Sequence, residues 1–355
     1  MVTFVGDLFL GNQSFKIEDE LLKSYNSNDY FVVNFENVFH NSILKKRIDK
    51  SSNLTFKESS FKYLNSYIPN KLILNLGNNH IHDLGLEGVK GTINLLDKYK
   101  NVYHLGVGKL PDLLQPLIIK CNNKKIALLS VSTNEPEVMS IIASKDQIGV
   151  LDYKTPLILD TIIWFKKQVD FFIVIPHWGK EYMPYPSVQQ RNLAYEWIDA
   201  GADLIVGHHP HVIQGKEIYK EKSIYYSLGN YIFPNFYYKE GVLHEWEFQN
   251  NQSIGLQVAF ADKISITESG LFFDTHKNIL SMSSSSLEKF KTRSKVLDLK
   301  LVSAKKYFGI WQLSLYSTLK KEYSLFNKVK KVFIKHKKYS RVEYLLRRLI
   351  KTIIK

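Results

Sequence analysis

Three imidazoles crowd one short turn: His208, His209 and His211, with Pro210 stiffening the chain between the last two. They follow Asp203 to Val206, whose composition is that of a buried strand ending at Gly207. Imidazoles clustered at a strand's carboxyl end suit a divalent transition metal, and in open α/β sheets that end is where ligands bind. The same event recurs along the chain. Val2 to Val5 delivers Gly6 and Asp7; Tyr30 to Val33 delivers Asn34, Glu36 and Asn37; Lys71 to Leu76 delivers Asn78, Asn79, His80 and Asp83; Phe171 to Ile175 delivers His177. Of eleven histidines, seven lie between His80 and His211. Carboxylate, amide and imidazole donors together suit a pair of ions such as Mn, Fe or Zn, and paired ions polarise a phosphoryl oxygen and supply hydroxide at neutral pH. His82 and His104, alone in their segments, read as hydrogen-bonded or surface residues.

These clusters need elements to position them. Between the strands lie helical stretches: Phe61 to Ile68, a run with Leu86, Val89, Ile93 and Leu96 at helical spacing, Pro156 to Phe165, and Leu193 to Ile198. Leu117 to Lys120 and Lys125 to Val131 flank Asn122 and Asn123 as a hairpin. Strand alternating with helix predicts a largely parallel core sheet covered on both faces. Asn41 to Ser60 reads as a polar, basic surface excursion. Val242 to Phe248, Gly255 to Phe260, Ile264 to Thr267 and Leu271 to Asp274 lack intervening helices, which predicts a second, antiparallel layer. The domain organisation expected is a body over 1–280, a linker over 281–286 and a basic, largely helical extension over 287–355.

The net charge of +14 is unevenly spread. Leu287 to Lys355 holds 20 Lys plus Arg against 4 Asp plus Glu, leaving 28 basic and 30 acidic residues in Met1 to Ser286, a net of −2. A nearly neutral body offers no track for a phosphate backbone, which argues against nucleic acid as partner. From Lys328 onward, Val332, Phe333, Val342, Leu345, Leu346, Leu349, Ile350 and Ile353 recur at helical intervals among Lys and Arg. Such a helix suits the surface of an anionic membrane; packing on the protein or a partner, or holding an acidic polymer, are the alternatives. Cys121 is the only cysteine, so no internal disulfide forms and a reducing compartment is expected. With no signal-like amino terminus and no run of about 18 apolar residues, the expected location is cytoplasmic, with the tail able to sit at the inner face of the membrane.

Six ordered motifs carry a resemblance: GD at 6–7, NFEN at 34–37, NNHIHDLGLEGVKGT at 78–92, HWGKEY at 177–182, GADLIVGHHPHVIQ at 201–214 and YSLGNYIF at 226–233. Together they resemble the bacterial capsule synthesis CapA family, the poly-gamma-glutamate capsule biosynthesis proteins, which are related to the calcineurin-like metallophosphoesterases. The resemblance implies a four-layer α/β/β/α metallophosphoesterase-like sandwich. It further implies a site in which Asp7, Glu36, Asn79, His177, His209 and His211 hold two divalent ions and His80 is the general acid. The place of His208 in that set stays open. Where the wider superfamily has a histidine two residues after the first aspartate, this chain has Phe9, so one metal position is short of a ligand: the alternatives are a weak position, an empty one, or one completed by another residue such as Asp83. The function implied is a metal-dependent phosphoester hydrolase or transferase acting on a cell-surface polymer or its precursor. The alternative is a non-catalytic component of a polymer synthesis or export complex, with a structural metal site.

Overall fold

In a computed structural model of the chain the described residues are 1–25, 29–40, 50, 52–68, 71–238, 241–298 and 302–333, with the backbone alone described for 322–333. The strands that matter for the site are, in chain order, β1 (Val2–Leu8), β2 (Tyr30–Phe35), β3 (Lys71–Asn75), β4 (Val102–Leu105), β5 (Leu117–Cys121), β6 (Lys124–Val131), β7 (Phe171–Pro176), β8 (Leu204–Val206), β9 (Lys216–Tyr219), β10 (Lys222–Tyr225), β11 (Asn230–Ile232), β12 (Gln252–Phe260), β13 (Ile264–Asp274) and β14 (Ile279–Met282). The main helices are α1 (Asp19–Tyr25), α2 (Glu58–Tyr67), α3 (Gly85–Leu96), α4 (Leu157–Lys166), α5 (Val188–Ala200), α6 (Ser284–Leu297) and α7 (Ala304–Phe333).

These strands form two sheets rather than one. The first runs β14-β13-β12-β1-β2-β3-β4, with β11 also paired to β1, and the second runs β9-β10-β8-β7-β6-β5. Every central strand is apolar on both faces, and its two faces go to different cores. Val2 and Phe4 of β1, Val32 of β2 and Ile73 of β3 meet Ile126 and Leu128 of β6 and Ile173 and Ile175 of β7 between the sheets. The alternate residues Val5, Val33 and Leu74 turn outward against Phe61 of α2 and Val89 of α3. On the other side, Leu129, Val174 and Ile205 pack on Ile162 of α4 and Trp197 of α5. The result is helix, sheet, sheet, helix, the four-layer architecture implied by the resemblance. A run buried on both faces looks the same whether its second face meets a helix or another sheet, so the single parallel sheet read from the strand and helix alternation is corrected to two.

The antiparallel segments are corrected likewise. Gly255 to Phe260 lies within β12, and Ile264 to Thr267 and Leu271 to Asp274 are parts of one strand, β13; both extend the sheet of β1 instead of building a layer of their own. Val242 to Phe248 holds only a short strand, Leu243–His244. The stretch expected as a linker ends β14 and starts α6, with the Ser283 hydroxyl accepting the Ser286 amide as an N-cap. Serines read as flexible spacers serve here as cap and first turn. The basic excursion Asn41 to Ser60 is also more than surface: Lys50, Leu54 and Phe56 are buried, while 41–49 and 51 lie outside the described residues.

The chain divides into two compact units, Met1–Trp311 and Gln312–Lys355. In the second, the described residues continue α7 to Phe333. The amphipathic pattern expected from Lys328 onward falls on residues whose side chains, and beyond Phe333 whose backbone, lie outside the described set. Among the described residues no helix is long and apolar enough to cross a membrane.

Candidate metal centre

Asp7 lies inside β1, one residue before its end, where the register with β2 shifts between Val5 and Asp7 and the register with β11 shifts between Asp7 and Leu8. Such a bulge re-aims a side chain, and here it turns a carboxylate into the site. The preceding Gly6 makes room: a Cβ there would stand 1.8 Å from the Gly229 carbonyl oxygen, which also accepts the Asp7 amide at 2.8 Å.

The clusters delivered by separate strands meet at one place. Asp7 Oδ1 lies 3.2 Å from His208 Nδ1 and Asp7 Oδ2 lies 3.5 Å from His211 Nδ1. Glu36 Oε2 is 3.8 Å from His211 Nε2 and 3.9 Å from His80 Nε2, and Glu36 Oε1 is 3.9 Å from His177 Nδ1. Asn79 Oδ1 accepts from His177 Nε2 at 3.0 Å, and the His177 and His209 rings are 4.6 Å apart. Asp7, Glu36, Asn79, His80, His177, His209 and His211 are thus gathered, and His208 stands with them against Asp7. His82 and His104 are not: His82 Nε2 donates to the Ile148 carbonyl, and His104 pairs with Asp97.

Two donor groups have the reach to hold an ion each. The ligand atoms of Asp7, Glu36 and His177 lie within 4.8 Å of one another, and so do those of Glu181, His209 and His211. Glu181 was not singled out from sequence, although it sits in the HWGKEY motif. The fit of a cation is tested by atoms that the protein leaves bare: Glu36 Oε2 and His209 Nδ1 are buried without a hydrogen-bond partner. A buried polar atom left so costs about 1–3 kcal/mol, and one such atom in each donor group fits a cation held there. The tautomers agree. A carbonyl only accepts, so His209 Nε2 carries the proton it gives to Glu137 O at 3.0 Å, which leaves Nδ1 as a lone pair. His211 Nδ1 donates to Asn230 Oδ1 at 2.8 Å and turns Nε2 inward.

Electrostatics point the same way. Burial, with the charges of Asp7 and Glu181 adding to it, pushes the Glu36 carboxyl well above its usual range against the opposing charge of Lys50. A cation alongside inverts that balance. Burial resists charge on Asp7 as well, yet the hydrogen bond and charge of His208, the His211 charge and the Asn34 amide hold it below the usual carboxylate range. Burial, then the neighbouring imidazoles His209, His208, His211 and His80, drives His177 well below its usual value. Burial also takes His209 down to about 4. Neutral imidazole is the ligand form.

A relay of amides fixes the carboxylates. Ser130 Oγ on β6 donates to Asn75 Oδ1 at 2.6 Å, Asn75 Nδ2 donates to Asn34 Oδ1 at 3.1 Å, and Asn34 Nδ2 reaches Asp7 Oδ1 at 2.8 Å, Glu36 Oε1 at 3.0 Å and His177 Nδ1 at 3.2 Å. The relay ties the two sheets together at the centre. Asn34 was visible in sequence as a residue delivered by its strand; Asn75, inside the next apolar run, was not, and their pairing across strands needed the register.

Asp83, the candidate for the missing ligand, is corrected. Its Oδ2 takes His80 Nδ1 at 2.7 Å and the Leu54 amide at 2.8 Å, and its Oδ1 takes Lys50 Nζ at 2.8 Å. Burial opposes its charge, but His80 and Lys50 outweigh that and hold it down to about 2. It orients His80 instead of facing the metal positions.

The depressed His209 value has a sign that can be checked. Above pH 6.5 the residue is neutral folded or unfolded; as pH falls from 6.5 toward 4 the unfolded chain takes up a proton that the folded chain refuses. Chelator-treated protein is therefore expected to lose stability across that window, and a His209→Gln variant to lose less, as read by the denaturation midpoint against pH.

Residues 2–235 match the family model described as bacterial capsule synthesis protein PGA_cap. The chain is 32% identical over 278 residues to the capsule biosynthesis protein CapA of Bacillus anthracis, covering 72% of this chain and 66% of that protein. It is 34% identical over 242 residues to the PGA biosynthesis protein CapA of Bacillus subtilis, covering 65% and 62%. The chain therefore spans slightly under two thirds of these relatives. Among solved structures it is similar to a 5'-nucleotidase precursor from Thermus thermophilus, with 15% identity, a TM-score of 0.38, and coverage of 82% of this chain and 57% of that one.

Proposed function

The chain belongs to the bacterial capsule synthesis PGA_cap family, and from that premise we propose that it is a metal-dependent phosphoester hydrolase or transferase in the making of a cell-surface polymer. The observation that carries the reading is the convergence of bare, buried donor atoms between two ligand groups, beside an imidazole held by its own carboxylate.

Asp7, Glu36, Asn79, His177, His209 and His211 would hold two divalent ions of the Mn, Fe or Zn class. When bound, such ions supply a hydroxide nucleophile at neutral pH and polarise the phosphoryl oxygen. The protein's own part is orientation and proton transfer. Asn34 fixes Asp7 and Glu36 through one amide nitrogen, so neither carboxylate is free to rotate. Asp83 accepts the Nδ1 proton of His80 and leaves Nε2 directed to the centre, 3.9 Å from Glu36 Oε2. From there His80 Nε2 gives its proton to the departing oxygen. Burial and then Lys50 hold the free His80 below its usual value, against the pull of Asp83. An anionic phosphoester beside Nε2 favours the imidazolium, so the proton is taken up with the substrate.

The second reading, a non-catalytic part of a polymer synthesis or export assembly, is favoured by one observation: Phe9 occupies the position where the superfamily has a ligand and is buried in an aromatic block with Phe233 and Phe236. The two readings separate in one experiment. The Mn-loaded full chain is assayed against phosphomonoesters and phosphodiesters, with and without chelator. Chelator-sensitive turnover supports the enzyme; absence of turnover, together with metal-site variants that still sustain polymer production, supports the assembly component.

A further inference from the structure

We propose that Glu181 completes the second metal position with His209 and His211, a carboxylate standing in for the imidazole that Phe9 displaces. The inference rests on the metal-centre reading above and names a ligand absent from the set that the resemblance implies.

Phe9 cannot serve. It is 5% exposed, its ring lies 5.3 Å from Phe233 and 6.2 Å from Phe236, and Phe233 in turn packs against the His211 ring at 5.1 Å. That flank of the centre is apolar. On the loop after β7 a carboxylate is supplied instead, within 4.8 Å of the ligand atoms of both His209 and His211.

The backbone is built to bring it there. Gly179 has φ 87°, Tyr182 φ 64°, His209 φ 97° and His211 φ 54°, so two short turns both adopt left-handed conformations that non-glycine residues rarely enter. The Tyr182 amide donates to the Pro210 carbonyl at 2.8 Å, which ties one turn to the other. Gly179 is required by space as well, since a Cβ there would come within 2.6 Å of Gln190 Nε2. Strain of this kind persists where the surroundings over-determine it and is concentrated at functional sites. Here it places Glu181 opposite two imidazoles. Glu181 is itself only partly buried, so this ligand stands on the solvent side of the centre.

The donor set has a consequence for ion choice. One carboxylate with two imidazoles is a harder set than three imidazoles, and it accepts Mn²⁺ or Fe²⁺ as well as Zn²⁺.

The test uses the full chain loaded with Mn²⁺, in wild type, Glu181→Gln and Glu181→Ala, with folding checked by circular dichroism. Bound Mn is counted by elemental analysis and its coupling read by electron paramagnetic resonance. Two equivalents with a coupled-pair signal are expected for wild type, and one equivalent with an isolated-ion signal for both variants. Two coupled equivalents retained in Glu181→Ala would overturn the assignment of Glu181 and leave the metal centre standing. So would a single equivalent in wild type that is unchanged in the variants. Wild type that binds none would overturn the metal-centre reading and this inference with it.

Discussion

A His177→Ala protein is expected to fold, to bind less metal than wild type and to hydrolyse no phosphoester at a measurable rate. His177 directly follows β7, is fully buried, and reaches Asn79 through Nε2 and Asn34 through Nδ1. It also shares a donor group with Asp7 and Glu36. Removing an outer partner of a metal ligand costs about 10–100-fold in affinity or activity; removing a ligand that also anchors two amides costs more. The fold survives because the cores on either side of β7 are carried by Phe171, Ile173 and Ile175 on one face and Phe172 and Val174 on the other. Fully buried apolar side chains of this size contribute about 1.5–3 kcal/mol each. Metal titration, turnover and the unfolding midpoint are the measurements. A variant that keeps its metal and its turnover contradicts the ligand role.

His80→Gln behaves differently, and the difference separates binding from proton transfer. His80 touches Glu36 only at 3.9 Å and spends Nδ1 on Asp83, so the variant is expected to keep its full complement of metal. Its turnover falls by about 10²–10⁴, the usual contribution of a positioned acid. The loss depends on the substrate. An ester with an acidic leaving group needs no proton and is hardly affected, whereas an alkyl phosphoester suffers the whole deficit. Asp83→Asn reproduces a smaller version of the same pattern, since the imidazole remains but loses its anchor. A uniform loss across leaving groups would show that His80 positions rather than protonates.

The sequence made the gathering of residues legible because each strand is short, apolar and followed at once by its polar group. Asp7, Glu36, Asn79, His80, His177 and His209 could be nominated without knowing how the strands pair. What escaped were relations between strands. Asn34 reads as the end of one strand and Asn75 lies unremarked inside another; only the parallel register of β1, β2 and β3 turns them into a relay. Lys50, inside a stretch that reads as basic surface, is buried against His80 and Asp83, which composition cannot show. Glu181 lies in a motif whose visible feature is His177, and its carboxylate reaches the centre through left-handed turns that no periodicity encodes. The second sheet, implied by the family resemblance, was hidden from the strand and helix alternation for a simpler reason: strands apolar on both faces do not announce what covers them.

The central claim is that this centre holds divalent ions, and elemental analysis of the purified full chain tests it most directly. The account predicts two equivalents of Mn, Fe or Zn per chain, reduced in a folded His209→Ala variant. No bound metal, even after incubation with excess Mn²⁺, would contradict it.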